Sequence, residues 1–401
     1  MTESPAEGTD PKKATYRFID GLRGYAIALV LLVHAGLGTV AIDSLDKFDP
    51  APKTDILLPT WLRAICDAAG NGVQLFFVVS AASLTLSLLG RHGTDLRRYA
   101  RRRFCRIAPM FYVGLAFYLF LFGFGPRMWA MNGIGWRDVL QTLLLVHAWF
   151  PNALNSVVPG GWSIGDEVSF YVLLPALFVL LRRSRLAFLV LAAAVLVAVQ
   201  TRYAIELRSG AWTPYKILGF INQSPVFLVG MLAAWAFRFH PLPRIVNSQV
   251  WGPLVFVVMV AVLPQVAGMG ETVLQSHLRF ALLGGLLCYA LSGDRSIFFT
   301  KSAIVSLGRV SFSVYLIHFA LLRPMHAFAG MLTSSRGVVF LLIDYAALLA
   351  VAYALAVLTY RYVEHPFIRL GAGEADPFRV WRELLGRTPA LDPTLGREGR
   401  R

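Results

Sequence analysis

The sequence predicts an all-α protein: a polytopic membrane bundle of about ten transmembrane helices, with one further half-inserted or surface helix. Three observations carry this. The 401 residues are 56% hydrophobic and only 15% charged, whereas a soluble globular domain carries about 25% charged residues. Apolar runs close to the roughly 20 residues that cross a bilayer recur along the chain. The arginines gather between those runs, as they do in cytoplasmic loops, so the net charge of +15 reads as topogenic and no nucleic-acid partner is expected. Cys66, Cys105 and Cys288 form no spacing motif, and neither a disulfide nor a metal site is expected.

The apolar runs centre on 25–42, 72–90, 107–125, 168–181, 186–203, 217–236, 249–267, 278–293, 310–327 and 337–360. The first is long and lacks a small-residue cleavage signature, so it reads as a retained span and not a signal peptide. Lys12, Lys13 and Arg17 precede it and place the N-terminus in the cytoplasm. Alternation then puts the seven arginines of 91–106 inside. DVLQTLLLVHAWF (138–150) is too short to cross. If it does not cross, Arg182, Arg183, Arg185, Arg238 and Arg244 also return to the cytoplasm, and Glu271 stays outside. The expectation is therefore ten spans in the inner membrane with both termini cytoplasmic. Residues 1–15 are polar and expected to be disordered, 16–370 form one membrane domain, and 371–401 form a polar tail. No internal repeat is evident.

Four stretches carry ionisable residues where a bilayer disfavours them. In DGLRGYAIALVLLVHAG (20–36), Arg23 and His34 are eleven residues apart. That spacing leaves them on nearly one helix face, roughly 16 Å apart along the axis. His34 then sits deep in the hydrocarbon layer, where an ionisable side chain is a functional candidate by default; a packing hydrogen bond is the alternative. Asp20 pairs with Arg23 at i,i+3 and can orient it. In RRYARRRFCRIAPMFY (97–112), Arg102, Arg103 and Arg106 suit planar bidentate capture of phosphate, although topogenic arginines alone would account for the cluster. In GGWSIGDEVSFYVLLP (160–175), Trp162 is a candidate interfacial anchor. Asp166 and Glu167 complement a helix N-terminus, while Glu167 and Tyr171 share a face at i,i+4. His318 in LGRVSFSVYLIHFALL (307–322) is either a second site group or a packing residue. His147 and Glu364 read as structural.

Taken in order, these phrases resemble the acyltransferase-3 family of membrane O-acyltransferases. The resemblance rests on DGLRG with the Arg23–His34 spacing, on NGVQLFFVVSAASL (71–84), and on Arg103, Arg106, Ile107 and Pro109, with Tyr112 one place late. It continues through Trp162, Ser163, Ile164, Glu167, Phe170 and Tyr171, then 307–318 and 360–366. The matches run from residue 17 to 370. The sequence departs from the family pattern at Ala81, Asp166, Val168 and Ser169. The resemblance implies transfer of an acyl group, typically acetyl, from cytoplasmic acyl-CoA to a hydroxyl of a cell-surface or lipid-linked glycan. Acyl-CoA is then a co-substrate, and no cofactor is expected. His34 would be the general base or a transient acyl carrier, with Glu167 orienting ring or acceptor. Arg23, Arg102, Arg103 and Arg106 would hold the donor phosphates, with Asp20, Trp162, Ser163, Asp166, Tyr171 and His318 on the acceptor side or behind the reacting groups. The chain ends too early for the extracytoplasmic esterase-like domain that some members carry.

Two other readings compete. A transporter also needs intramembrane ionisable residues, but it would show inverted repeats and matched broken helices, and none is found. A lipid-binding scaffold has no use for the Arg23–His34 spacing. Within the enzyme reading, a secreted small molecule such as a macrolide is the alternative acceptor and succinyl the alternative acyl group.

Overall fold

The computed structural model describes residues 17–38, 55–90, 95–127, 129–210, 214–240, 248–262, 274–291 and 296–373. Among these residues every regular element is helical, and the one extended pairing is an isolated bridge between Arg127 and Ala130. In chain order the helices are α1 (Arg17–Leu37), α2 (Thr60–Ala68), α3 (Gly72–Leu89), α4 (Leu96–Phe122), α5 (Trp136–Leu143), α6 (Gly161–Arg183) and α7 (Arg185–Arg208). They continue with α8 (Phe220–Phe239), α9 (Ser248–Val257), α10 (Ser276–Ala290), α11 (Ser302–Arg309), α12 (Ser311–Leu332), α13 (Val338–Thr359) and α14 (His365–Ala372).

Seven helical runs among the described residues are long and apolar enough to cross a membrane: α1, α2 with α3, α4, α6, α7, α8 with the turn before it, and α13 with α14. Helices α11 and α12, bent by 76° where they meet, make an eighth if they count as one span. The expected ten are not reached among the described residues. The runs 249–267 and 278–293 account for the difference. The first is α9 followed by the π turn Val258–Val262, and the second is the 15-residue α10. Both fall short of the roughly 20 residues a crossing needs, and 263–273 and 292–295 lie outside the described residues. The stretch 138–150 divides between the eight-residue α5 and the 3-10 turn His147–Trp149, which together are too short to cross. The expected disordered N-terminus, and the tail beyond Gly373, also lie outside the described residues.

α1 is the hub, packed against α3, α11, α12 and α13. The glycines of its DGLRG opening explain how. A methyl group at Gly21 would stand 1.8 Å from the Phe299 carbonyl oxygen, and one at Gly24 would stand 2.2 Å from that of Ile304. Backbones in this arrangement touch directly, which only glycine allows. The basic stretch 97–106 is helical and continuous with its span. Asp95 caps α4 by accepting from the backbone N–H groups of Arg97 (3.0 Å) and Arg98 (3.1 Å). α7 shows the opposite pattern to α1: Leu186, Leu189, Val190 and Val197 are all exposed. That apolar face needs lipid around it.

Candidate active site

Helices α1, α3, α4, α6 and α12 enclose a cavity of about 90 Å³. Arg23 comes from α1, Arg103 and Arg106 from α4, and Ser163, Glu167 and Tyr171 from α6. Phe77 and Ser80 of α3 and Ser311, Phe312 and Tyr315 of α12 complete much of the wall. The placement follows from helical spacing. Arg103 and Arg106 are i,i+3, while Ser163, Glu167 and Tyr171 step round α6 at i,i+4, so each set faces one way.

The cavity is charged at one end and hydroxyl-rich within. Arg23 pairs with Asp20 at 3.2 Å, and Asp20 also reaches Arg309 at 3.9 Å, so the guanidinium of Arg23 is oriented where α1 begins. The Arg103 guanidinium lies 5.8 Å from the Tyr171 ring centroid. Glu364 and Glu167 both lie within electrostatic reach of Arg106. Glu167 Oε1 accepts from Ser80 Oγ and from Tyr171 Oη, each at 2.5 Å. Such short charge-assisted bonds fix a carboxylate. Deeper in, Ser163 Oγ donates to Tyr315 Oη at 2.9 Å, and Tyr315 Oη donates to the Gly160 carbonyl at 2.9 Å. Gly160 has φ +76°, the left-handed conformation from which α6 starts.

His34 and His318 lie side by side beyond Tyr315. Their ring centroids are 5.0 Å apart, and Phe319 packs 4.8 Å from the His34 ring. His34 Nδ1 lies 2.8 Å from the Val30 carbonyl oxygen, and His318 Nδ1 lies 2.6 Å from that of Tyr315. A carbonyl only accepts, so each Nδ1 carries the proton and each neutral ring keeps its lone pair on Nε2. His318 is fully buried, and its Nε2 has no hydrogen-bond partner among the described residues. Neither histidine is among the residues that line the cavity; Tyr315, which does line it, stands 5.6 Å from the His318 ring and joins the pair to the cavity wall.

The remaining sequence candidates are dispersed. Arg102 does not line the cavity; its backbone packs beside Gly371 of α14. It stands 100° round the helix from Arg103. Asp20 acts on Arg23 from outside the wall. Asp166 is fully buried, and neither carboxylate oxygen has a hydrogen-bond partner among the described residues. Trp162 packs edge-on against Phe77 at 5.9 Å and faces a different cavity. His147 supports the start of α6, with its Nε2 2.8 Å from the Gly161 carbonyl oxygen, and burial pushes its imidazole down to about 4. Glu364 receives the Ser313 hydroxyl, which in turn accepts from Thr359 at 2.9 Å, so it fastens α12 to the end of α13.

Sequence reasoning passed over Ser80, Tyr315 and Arg309. A signal existed for the first two: Ser80 ends the FFVVS phrase and Tyr315 stands three residues before His318. Arg309 carries none, because its link to Asp20 joins two distant segments.

Comparison with known proteins bears on the family. The chain is similar to the protein named acyltransferase MdmB from Streptomyces mycarofaciens, with 26% identity over 389 residues covering 90% of this chain and 93% of that protein. No solved structure matches. The family model described as an acyltransferase domain matches residues 16–361, which include every residue of the cavity wall. The chain therefore belongs to the acyltransferase-3 family of membrane acyltransferases.

Proposed function

We propose that the protein moves an acyl group, acetyl first, from cytoplasmic acyl-CoA to a hydroxyl of a cell-surface or lipid-linked glycan. The observation that carries this reading is the convergence of Arg23, Arg103, Arg106 and Glu167 on one cavity whose wall residue Tyr315 stands beside the His34–His318 pair. The guanidinium groups suit the CoA phosphates. The pantetheine arm then runs along α1 and brings the thioester toward His34, about three turns in. His34 Nε2 takes the proton of the acceptor hydroxyl while its oxygen attacks the thioester carbonyl. The C–S bond breaks, the new ester C–O bond remains, and the imidazolium returns its proton to the CoA thiolate. Glu167, fixed by Ser80 and Tyr171, orients the acceptor.

Membranes containing the protein, incubated with acetyl-CoA labelled on the acetyl group, test the reading. Alkali-labile label should appear in the glycan fraction and be absent from membranes lacking the protein. Label confined to free acetyl-CoA, or carried across the membrane unaltered, would contradict it and favour a transporter.

A further inference from the structure

The end of α1 far from Arg23 is covered by a short strap, residues 55–57. Ile56 is 1% exposed and packs in one apolar cluster with Ala35, Cys66, Ala329, Phe340 and Leu341. Arg63 of α2 donates to the Ile56 carbonyl at 2.5 Å and also to that of Gly36, which ties the strap to the last turn of α1. The Leu57 backbone N–H donates to the Arg336 carbonyl at 2.6 Å. Gly38, at φ +59°, leaves room for the strap: a methyl there would stand 2.4 Å from Asp55 Oδ1 and 3.0 Å from Ile56 Cγ1.

The side-chain anchor of the strap is His326 of α12, which is buried between two carboxylates. Its Nε2 lies 3.0 Å from Asp55 Oδ2, and its Nδ1 lies 3.1 Å from Asp344 Oδ2 of α13. An ionised carboxylate only accepts, so each ring nitrogen carries a proton and the ring is an imidazolium. Arg336, just before α13, also faces the ring: its Nη1 is 3.4 Å from Asp55 Oδ2 and 3.3 Å from His326 Nε2. Nε2 is closer to Asp55 than to Arg336, so its proton belongs to Asp55, whose charge offsets the two cations. The Arg336 guanidinium lies 4.5 Å over the Phe340 ring, which meets His326 edge-on at 4.8 Å. α2 brings Arg63 and Asp67 to the same cluster, beside Cys66, and exposed Arg323 stands three residues before His326 on α12.

A neutral imidazole keeps one proton and can serve only one of the two carboxylates. The Asp344 side chain is 5% exposed and that of Asp55 27%. An unpaired charge costs more at the buried site, so the remaining N–H stays with Asp344 and Asp55 loses its bond to the ring. We infer that strap 55–57 is a proton-controlled latch, closed over the end of α1 while His326 is doubly protonated and released when His326 is neutral. Release lifts Ile56 from Ala35, the residue after His34. The device is independent of the acyl-transfer reading and goes beyond it.

The test uses the full chain in lipid nanodiscs, with Ile56→Cys labelled by a thiol reagent. The parent chain sets the background of the native cysteines. Leu57→Cys, at a side chain exposed in the closed strap, supplies the intrinsic pH dependence of the labelling reaction. The ratio of the Ile56→Cys rate to the Leu57→Cys rate should rise between about pH 5 and about pH 9, the range in which a histidine titrates. The rise should be about 10–100-fold, the scale of one charge-assisted hydrogen bond. Adding His326→Gln, which carries no titrating ring, should make the ratio high and flat across that range. Asp55→Asn removes the carboxylate from the strap and leaves the buried His326–Asp344 pair in place. It should give the same flat, high ratio even if His326→Gln fails to fold. A ratio that stays flat or falls with pH in the otherwise native chain, or a rise that survives Asp55→Asn, would overturn the inference.

Discussion

His34 and His318 each spend Nδ1–H on a carbonyl of the preceding helical turn, so their Nε2 atoms are the basic positions near the cavity. If His34 is the base, His34→Ala should lower transfer by about 10²–10⁴-fold while acyl-CoA binding persists. His34→Gln should be nearly as inactive, because an amide hydrogen-bonds without accepting the proton. A Gln variant with most of its activity would pass the role to His318. The arginines make a separate expectation. Arg103→Ala or Arg106→Ala should raise the KM for acyl-CoA with insertion unchanged, and Lys should restore only part of it, since it lacks the planar fork. Arg102→Ala should raise that KM far less, because Arg102 stands off the wall. Equal effects at all three positions, measured in membranes with matched protein levels, would mean that the cluster acts as general positive charge.

At the scale of elements, α1 is seated on α11 and on the short helix Ile297–Thr300 before it. Gly21→Ala forces a methyl into the Phe299 carbonyl, and overpacking of this kind costs about 1–3 kcal/mol. Thermal unfolding in detergent should show the loss, and an unchanged midpoint would refute the close approach. The turn holding His147 adds a pH dependence. Its imidazole is held at about 4 against an unfolded value near 6.5. As pH falls, the unfolded chain takes the proton first, so the stability it contributes is complete above 6.5 and drains away as pH drops toward 4. The full loss is about 3 kcal/mol, and His147→Gln should flatten the stability profile across that window. Such tertiary effects also mark where sequence reading stopped. The face shared by Arg103 and Arg106, and that shared by Glu167 and Tyr171, were legible from helical spacing alone. The apolar runs located the spans but not their ends, because Asp95 caps α4 ahead of an arginine-rich stretch and the 76° bend between α11 and α12 falls inside one apolar phrase. The cavity that Trp162 faces was invisible, since Gln74, Tyr203 and Gln275, which line it, stand far apart and sit in no common phrase.

For the molecule as a whole, Arg23 of the charged cavity and His34 of the histidine pair lie along one helix, α1. In the proposed mechanism, donor and acceptor enter from opposite ends and meet at the histidines. The basic residues at 91–106 and 182–185 lead to the expectation of a cytoplasmic donor end. Cysteine substitutions at Ser184 and His240, labelled with an impermeant reagent, report the orientation of reconstituted vesicles. The decisive measurement uses such vesicles, of known orientation, with labelled acetyl-CoA on one side and a glycoside acceptor on the other. Labelled ester should form only when acetyl-CoA is on the side where Ser184 is labelled and the acceptor is on the opposite side. Transfer that requires both substrates on the same side would contradict the account.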